Sequence, residues 1–351
     1  MQQVKERARP KELVLAAMEG KEKSRTAAVL FSGGAWTCKQ AGYLLHQLVG
    51  RPEVLADSII SVNSTIESDM VFPGSGFNNY LLEALGGKLK LFGDAVPMLE
   101  GPVVQKKYSF DIPISRSLEQ NLGIQTVVKA VQLVQKKIGN EILVATPAWG
   151  PVTTAAMLLG VEEFMRKLKR EPDFIHTVLT FATKAVRCYY YQLKQEANLP
   201  VASVAEPIVS AAMISVDNFK TFAMPYLMKL VKDLKQLDYK VILHICGATE
   251  DRYNLITGLN LDCLSLDQQV NLNNARNVVG KNLCLAGNLD PVNLLERSQL
   301  REVINKTETI LSQFARDKRF ILAAGCDLPP SVRIENVTAY LQAAKKFNPK
   351  S

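Results

Sequence analysis

Two residues on one short apolar run offer the clearest chemistry in this chain. In Val241-Ile242-Leu243-His244-Ile245-Cys246-Gly247 an imidazole and a thiol stand two positions apart. Residues i and i+2 of a β-strand point to the same face, so the two side chains project together. A second apolar run, Phe320-Ile321-Leu322-Ala323-Ala324-Gly325, ends in Cys326, followed by Asp327, Leu328, Pro329 and Pro330, which turn the chain outward. One nitrogen and two sulfurs from two strand ends would suit Zn²⁺ with a fourth position left open, as catalytic zinc keeps it. Read from spacing alone, the competing account is that both cysteines are small buried apolar side chains. In Cys263-Leu264-Ser265-Leu266-Asp267 the same alternation puts Cys263, Ser265 and Asp267 on one face. Asp267 ends that run, where it could act as a weak fourth ligand or as an acceptor behind a ligand.

The remaining cysteines and histidines read as structural. Cys263 and Cys284 sit deep in apolar runs, Cys38 and Cys188 lie on helical stretches, and His46 and His176 stand among polar neighbours on helices. Gly33-Gly34 and Gly74-Ser75-Gly76 extend to neither a dinucleotide fingerprint nor a phosphate loop, and Ser75 lacks the spacing of a nucleophile elbow.

What must position these groups is a set of short, apolar strands: Ala27–Ser32, Lys88–Phe92, Ile142–Thr146, Val201–Ala205, Val241–His244, Cys263–Leu266, Leu283–Ala286 and Phe320–Ala323. Each is rich in Val, Ile and Leu on both faces, as a parallel sheet covered on both sides requires. Segments of helical period lie between them: Leu118–Ile138, Asp173–Ala197, Asp217–Leu237 (Asp217 as N-cap), Ser298–Phe314 (Ser298 as N-cap) and Arg333–Phe347. Unbroken alternation and a strand count near eight predict an α/β fold, a (β/α)8 TIM barrel with an N-terminal helical extension. The barrel places strand C-termini, and so His244, Cys246 and Cys326, at its mouth. No repeat and no Pro/Ser-rich linker divides the chain, so 1–351 reads as one domain with an N-terminal helical layer over about residues 1–25.

Length and composition agree. At 351 residues the chain can bury a full core, and 20 Gly with 16 Pro exclude collagen-like or low-complexity architecture. The formal net charge of +8 is moderate for this length and reads as a solvated surface, with no nucleic-acid partner implied. The N-terminal ten residues have no apolar segment, and Ile142–Val161, uncharged for twenty residues, contains Pro147, Gly150 and Pro151 and reads as strand, turn and helix start. The expectation is a cytoplasmic protein with reduced thiols.

Ala205-Glu206-Pro207, Ile214-Ser215, Phe219, His244-Ile245-Cys246-Gly247, Leu264-Ser265-Leu266-Asp267, Gly287-Asn288-Leu289-Asp290-Pro291 and Ala324-Gly325-Cys326 together resemble the uroporphyrinogen decarboxylase superfamily. More narrowly, the chain is similar to its cobamide-dependent methyltransferase branch, typified by methylcobamide:coenzyme M methyltransferase. The resemblance runs from about residue 10 to the C-terminus. It implies a zinc-dependent enzyme with His244, Cys246 and Cys326 as metal ligands and Asp267 and Glu206 as candidate catalytic residues. The implied reaction moves a methyl group between a corrinoid, supplied by a separate corrinoid protein, and a small molecule. That molecule is a thiol such as coenzyme M or, by O-demethylation, a methyl ether such as a methoxylated aromatic.

The sequence departs from the family at several points. The arginine-bearing Met-Arg-Gln-Ala-Gly-Arg signature that binds carboxylates in decarboxylases reads here Cys38-Lys39-Gln40-Ala41-Gly42-Tyr43. Lysine alone cannot reproduce bidentate guanidinium binding, which argues against decarboxylation. Glu206 stands where Asp is common, and Asp267 stands where coenzyme M enzymes carry a glutamate. A methoxylated ring would need an aromatic wall, for which Trp36, Tyr43, Phe72, Phe77 and Trp149 are candidates. A sulfonate would need cations, for which Arg252 and Arg333 are the only ones in view. The alternatives to a corrinoid-dependent methyltransferase are a uroporphyrinogen-type decarboxylase and a non-catalytic zinc protein that binds a corrinoid partner.

Overall fold

In the computed structural model the described residues are 8–105 and 108–347. Eight parallel strands form the barrel: β1 (Ala27–Val29), β2 (Met70–Val71), β3 (Leu143–Trp149), β4 (Val201–Ala205), β5 (Lys240–Ile245), β6 (Cys263–Leu266), β7 (Cys284–Leu289) and β8 (Phe320–Ala324). They are ordered β1-β8-β7-β6-β5-β4-β3-β2 around a nearly closed (β/α)8 TIM barrel. Helices between the strands cover its outside, as the apolar two-faced strands require. Among the described residues no helix is long and apolar enough to cross a membrane.

Side chains complete the seam between β1 and β2. Asp69 donates its N–H to the Ala28 carbonyl at 3.0 Å. Its carboxylate accepts the Ala28 N–H at 2.8 Å, and Ser68 Oγ accepts the Leu30 N–H at 2.8 Å. Arg25 holds Asp69 through two bonds of 2.6 and 2.7 Å, a bidentate pair that fixes the carboxylate where ladder rungs are missing.

Inward-facing side chains alternate along the strands. Ala27, Val29 and Phe31, Leu143 and Ala145, Cys284 and Ala286, and Ile321 and Ala323 join Val201, Ile242 and Cys263 in one apolar cluster inside the barrel. The helix Pro10–Glu19 plugs the lower end of that cluster with Leu13, Val14, Ala17 and Met18. The expected N-terminal helical layer is thus this helix and the segment leading to β1; residues 1–7 lie outside the described residues. A larger apolar cluster fills the layer between strands and outer helices.

One expected strand is corrected. Lys88–Phe92 is not part of the barrel: Leu89–Lys90 pairs antiparallel with Met98–Leu99 in a small hairpin. The eighth barrel strand is β2, only two residues long, which pairs Met70 with Leu143 and Val71 with Val144. Three helices also differ in detail. The periodic run from Leu118 breaks at Asn121, whose side chain caps a second helix by accepting the Ile124 N–H at 3.0 Å, giving Ile114–Gln120 and Leu122–Ile138. Asp217 lies inside its helix, with Ser215 as the cap, and Gln299 rather than Ser298 precedes Leu300–Phe314. The uncharged stretch from Ile142 is β3, a turn at Gly150 and the helix Pro151–Leu159.

Candidate metal centre

The inward columns of β5 and β6 carry the site. Ile242 faces the barrel interior, and two steps on in the same column stand His244 and then Cys246. On β6 the column is Cys263, Ser265, Asp267, and the register sets His244 beside Ser265. Gly247 takes φ of 73°, a left-handed turn that glycine accepts without strain, and this carries the chain away just after Cys246. At β8, Gly325 lets the backbone come so close to Gln268 that a Cβ would stand 2.5 Å from the Gln268 nitrogen. That approach brings Cys326 across to the β5 side.

The result is a compact triad. His244 Nε2 lies 3.3 Å from Cys246 Sγ, and Cys246 Sγ lies 3.7 Å from Cys326 Sγ. The three donor atoms all fall within 4.8 Å of one another. The sulfur separation is far too long for a disulfide, whose bond is about 2.05 Å. It matches instead the edge of a tetrahedron built on zinc–sulfur bonds of about 2.3 Å, which is about 3.8 Å. The corresponding nitrogen–sulfur edge is about 3.6 Å. His244 is 4% exposed, and each cysteine is half-buried, so the group opens on one side only.

Electrostatics marks the two sulfurs as partners. Cys326 is held down to about 4 by the hydrogen bond from Cys246 and then by His244, against the cost of burial. Cys246 is pushed up by the same bond to Cys326, by burial, and by the charges of Cys326, Asp267 and Asp327. Placing a cation between such sulfurs would remove the conflict.

The surroundings fix the imidazole. Ser265 Oγ lies 3.1 Å from His244 Nδ1, and Ser265 is 1% exposed. With the hydroxyl accepting, the proton sits on Nδ1 and the Nε2 lone pair points at the sulfurs. Sequence reasoning reserved this orienting role for Asp267 and passed over Ser265; the cue was its place beside His244 one strand away. Asp267 is 3% exposed and lies outside the triad's cluster, its Oδ1 accepting the Gln269 N–H at 2.9 Å. Asn288 donates to the carbonyls of Asp267 and Val270 at 3.0 and 2.7 Å, fixing the turn that follows β6.

Glu206, at the end of β4, is 0% exposed. It accepts the N–H of Val152 at 2.9 Å and the N–H and hydroxyl of Thr153 at 2.8 and 2.7 Å. The two N–H groups are orphan donors of the helix Pro151–Leu159, so the carboxylate caps that helix from the neighbouring strand. Burial pushes Glu206 up to about 7, and the three donors oppose that rise. Gly150 leaves the room, since a Cβ there would stand 2.3 Å from the carboxylate oxygen.

Asp327, which sequence reasoning treated only as a chain breaker, joins the site. It follows Cys326, accepts the N–H groups of Gly33 and, at 3.1 Å, Leu328, and so ties the β8 loop to the loop after β1. Its side chain is exposed by surface area while protein crowds it closely, as at the floor of a cleft. That burial pushes it up to about 6, and the Cys326 charge adds to the rise.

The aromatic candidates separate. Trp36 is fully buried and donates its indole N–H to the Val332 carbonyl at 2.7 Å, and Phe77 packs on Tyr80 in the outer core. Trp149 is half-buried and donates to Asn79 at 2.7 Å, and Tyr43 lies under Arg51. Phe72 alone belongs to the triad's surroundings. It meets Phe31 at 5.1 Å, and Phe31 meets the His244 ring at 5.5 Å. Arg252 is corrected as a sulfonate ligand. It is 0% exposed and is spent on Asp251 and the carbonyls of Val209 and Ile214. His176 is structural, bonded to the Tyr226 hydroxyl at 2.8 Å and stacked on Phe222.

Comparison with known proteins places this architecture. The uroporphyrinogen decarboxylase (URO-D) family profile matches residues 9–347, so the chain belongs to that family. It is 26% identical over 264 residues to a methylated-thiol–coenzyme M methyltransferase of Methanosarcina mazei, covering 75% of this chain and 69% of that protein. It is 26% identical over 224 residues to the methylcobamide:CoM methyltransferase MtbA of the same organism, covering 64% of each. A solved methyltransferase structure from Methanosarcina mazei superposes with a TM-score of 0.87 at 22% identity, covering 97% of this chain and 99% of that one.

Proposed function

We propose that this member of the family is a corrinoid-dependent methyltransferase, a single-domain barrel with zinc held by His244, Cys246 and Cys326. The methyl group moves between a corrinoid carried by a separate protein and a small thiol or methyl ether. The observation that carries the reading is the triad's geometry. Its sulfur–sulfur edge of 3.7 Å is close to the roughly 3.8 Å of a tetrahedral zinc site, its nitrogen–sulfur edge of 3.3 Å is somewhat shorter than the roughly 3.6 Å expected, and the three donors meet at the mouth of the barrel. Relatives named for methyl transfer from methylated thiols or methylcobamide support it.

Bound there, zinc supplies a Lewis acid that makes a thiolate available at neutral pH or polarises an ether oxygen. The chain's own residues prepare that site. Ser265 fixes the imidazole tautomer, and Asn288 pins the turn that carries Asp267 at the end of the neighbouring strand. Glu206 clamps the β4 end to the following helix and acts as a positioning residue, since all three of its donors come from the fold. Two thiolates and one neutral imidazole balance the charge of Zn²⁺, and such a site favours activating a bound thiol over polarising an ether. Phe31, 5.5 Å from the His244 ring, and Phe72 against it give the imidazole an apolar neighbour.

Metal analysis tests the reading directly. The wild-type chain binds one zinc, while Cys246→Ala and Cys326→Ala lose it. Retention of a full equivalent by either variant overturns the assignment. Spectra of methylcobalamin with candidate thiols, and of cob(I)alamin with methoxylated aromatics, then assign the half-reaction.

A further inference from the structure

We propose that Asp327 selects the small substrate, and that the substrate is a thiol carrying a cationic amine rather than an anionic group. This deepens the reading above and rests on its thiol arm. The segments that carry or flank the triad are residues 31–33, 246–252, 267–271 and 325–333, and they contain four carboxylates but only two cations. Arg252 is fully buried and holds two backbone carbonyls and Asp251. Arg333 turns away to the Ser298 carbonyl at 3.0 Å. Arg252 is therefore committed to the fold, and Arg333, though exposed, is engaged by the Ser298 carbonyl.

The carboxylates are disposed differently. Glu250 accepts the Thr249 N–H at 3.0 Å, and Asp251 is paired with Arg252. Asp267 is 3% exposed, with Oδ1 taken by Gln269. Glu250, Asp251 and Asp327 are all exposed, but of these only Asp327 directly follows a candidate ligand cysteine. Its Oδ1 takes the N–H groups of Gly33 and Leu328, which anchors the carboxyl group to two loops.

Charge then decides the substrate. Two ligand thiolates, an imidazole and Zn²⁺ sum to zero, a bound substrate thiolate makes the centre anionic, and Asp327 adds a second negative charge beside it. A sulfonate on the far end of the thiol would be a third, with both neighbouring arginines already engaged. An ammonium at the same end would instead neutralise Asp327 at close range, and the half-enclosed position weakens solvent screening.

Three thiols that differ only at one end test this: cysteamine, 2-mercaptoethanol and 2-mercaptoethanesulfonate. Binding to the zinc-loaded chain is measured by calorimetry, and demethylation of methylcobalamin is followed spectroscopically. Cysteamine is expected to bind at least about tenfold more tightly than the sulfonate, with mercaptoethanol between them. Asp327→Asn keeps the acceptor for Gly33 and Leu328 and removes only the charge, so it should retain zinc and bring the three affinities within about threefold. A flat or reversed order in the wild type overturns the inference, even if the variant fails to fold. If the binding order holds while no thiol takes a methyl group, the methyl-transfer reading falls and the charge preference stands.

Discussion

Replacing Ser265 with alanine tests whether the barrel holds the imidazole in its ligating tautomer. Ser265 Oγ and His244 Nδ1 are 3.1 Å apart, at 1% and 4% exposure, so no water replaces the lost hydroxyl. Without metal, the variant imidazole can move its proton to Nε2 and share it with Cys246 Sγ, 3.3 Å away. With zinc on Nε2 that route closes, and a buried Nδ1–H is left without an acceptor. The cost therefore falls mainly on the metal-bound state. A net hydrogen bond is worth about 0.5–1.5 kcal/mol, and an unsatisfied buried donor costs about 1–3 kcal/mol. A differential of about 1–2 kcal/mol weakens zinc binding roughly 5- to 30-fold. Orienting partners of ligating histidines elsewhere give about 10- to 100-fold. Competition with a chromophoric chelator measures the affinity, and urea unfolding of the metal-free chain checks that the fold is intact. An affinity within twofold of wild type would refute the reasoning, and a loss of fold stability alone would make Ser265 a packing residue.

Three further outcomes follow from the same structure. Zinc at a hundred times its dissociation constant should stabilise the wild-type chain by about 2.7 kcal/mol against urea and leave Cys246→Ala unmoved; equal stabilisation of both places the metal elsewhere. Glu206→Ala orphans the Val152 and Thr153 donors and should cost about 2–3 kcal/mol of unfolding free energy while zinc stoichiometry persists. A change below about 0.5 kcal/mol would deny the capping role. Arg252→Met strands the Val209 and Ile214 carbonyls and should cost about 2–4 kcal/mol of stability with no selective loss of sulfonated thiols in binding assays; a selective loss would restore Arg252 to the substrate site.

How much of the fold could be read from the chain depended on where its apolar residues lay. Seven of the eight expected strands, all but Lys88–Phe92, appear in the barrel within a few residues of their expected bounds. Lys88–Phe92 misled because its leucines and Phe92 suit a hairpin strand as well as a barrel strand; its exposed Leu91 and Phe92 show that it has no second layer over it. Met70–Val71 escaped because two residues carry no periodicity, and the seam beside it is held by the side chains of Asp69 and Ser68. Such rungs leave no signature in a hydropathy pattern.

The site was legible along strands and illegible between them, for a geometric reason. The spacing of His244 and Cys246, and of Ser265 and Asp267, follows from the two-residue period of one strand and can be counted on the sequence. The pairing of His244 with Ser265 follows from the register between β5 and β6, and no residue in either strand announces it. Asp327 depends on a still longer reach, because its partner Gly33 lies at the opposite end of the chain and meets it only once β8 and β1 lie side by side. The candidate metal ligands are therefore the part of this site most open to sequence reasoning, since strand period sets two of them. The residues proposed to tune the ligands and select the substrate are set by the register between strands and by closure of the barrel. Closing the barrel turns Asp327 from a residue before a proline turn into an exposed carboxylate beside the candidate metal centre.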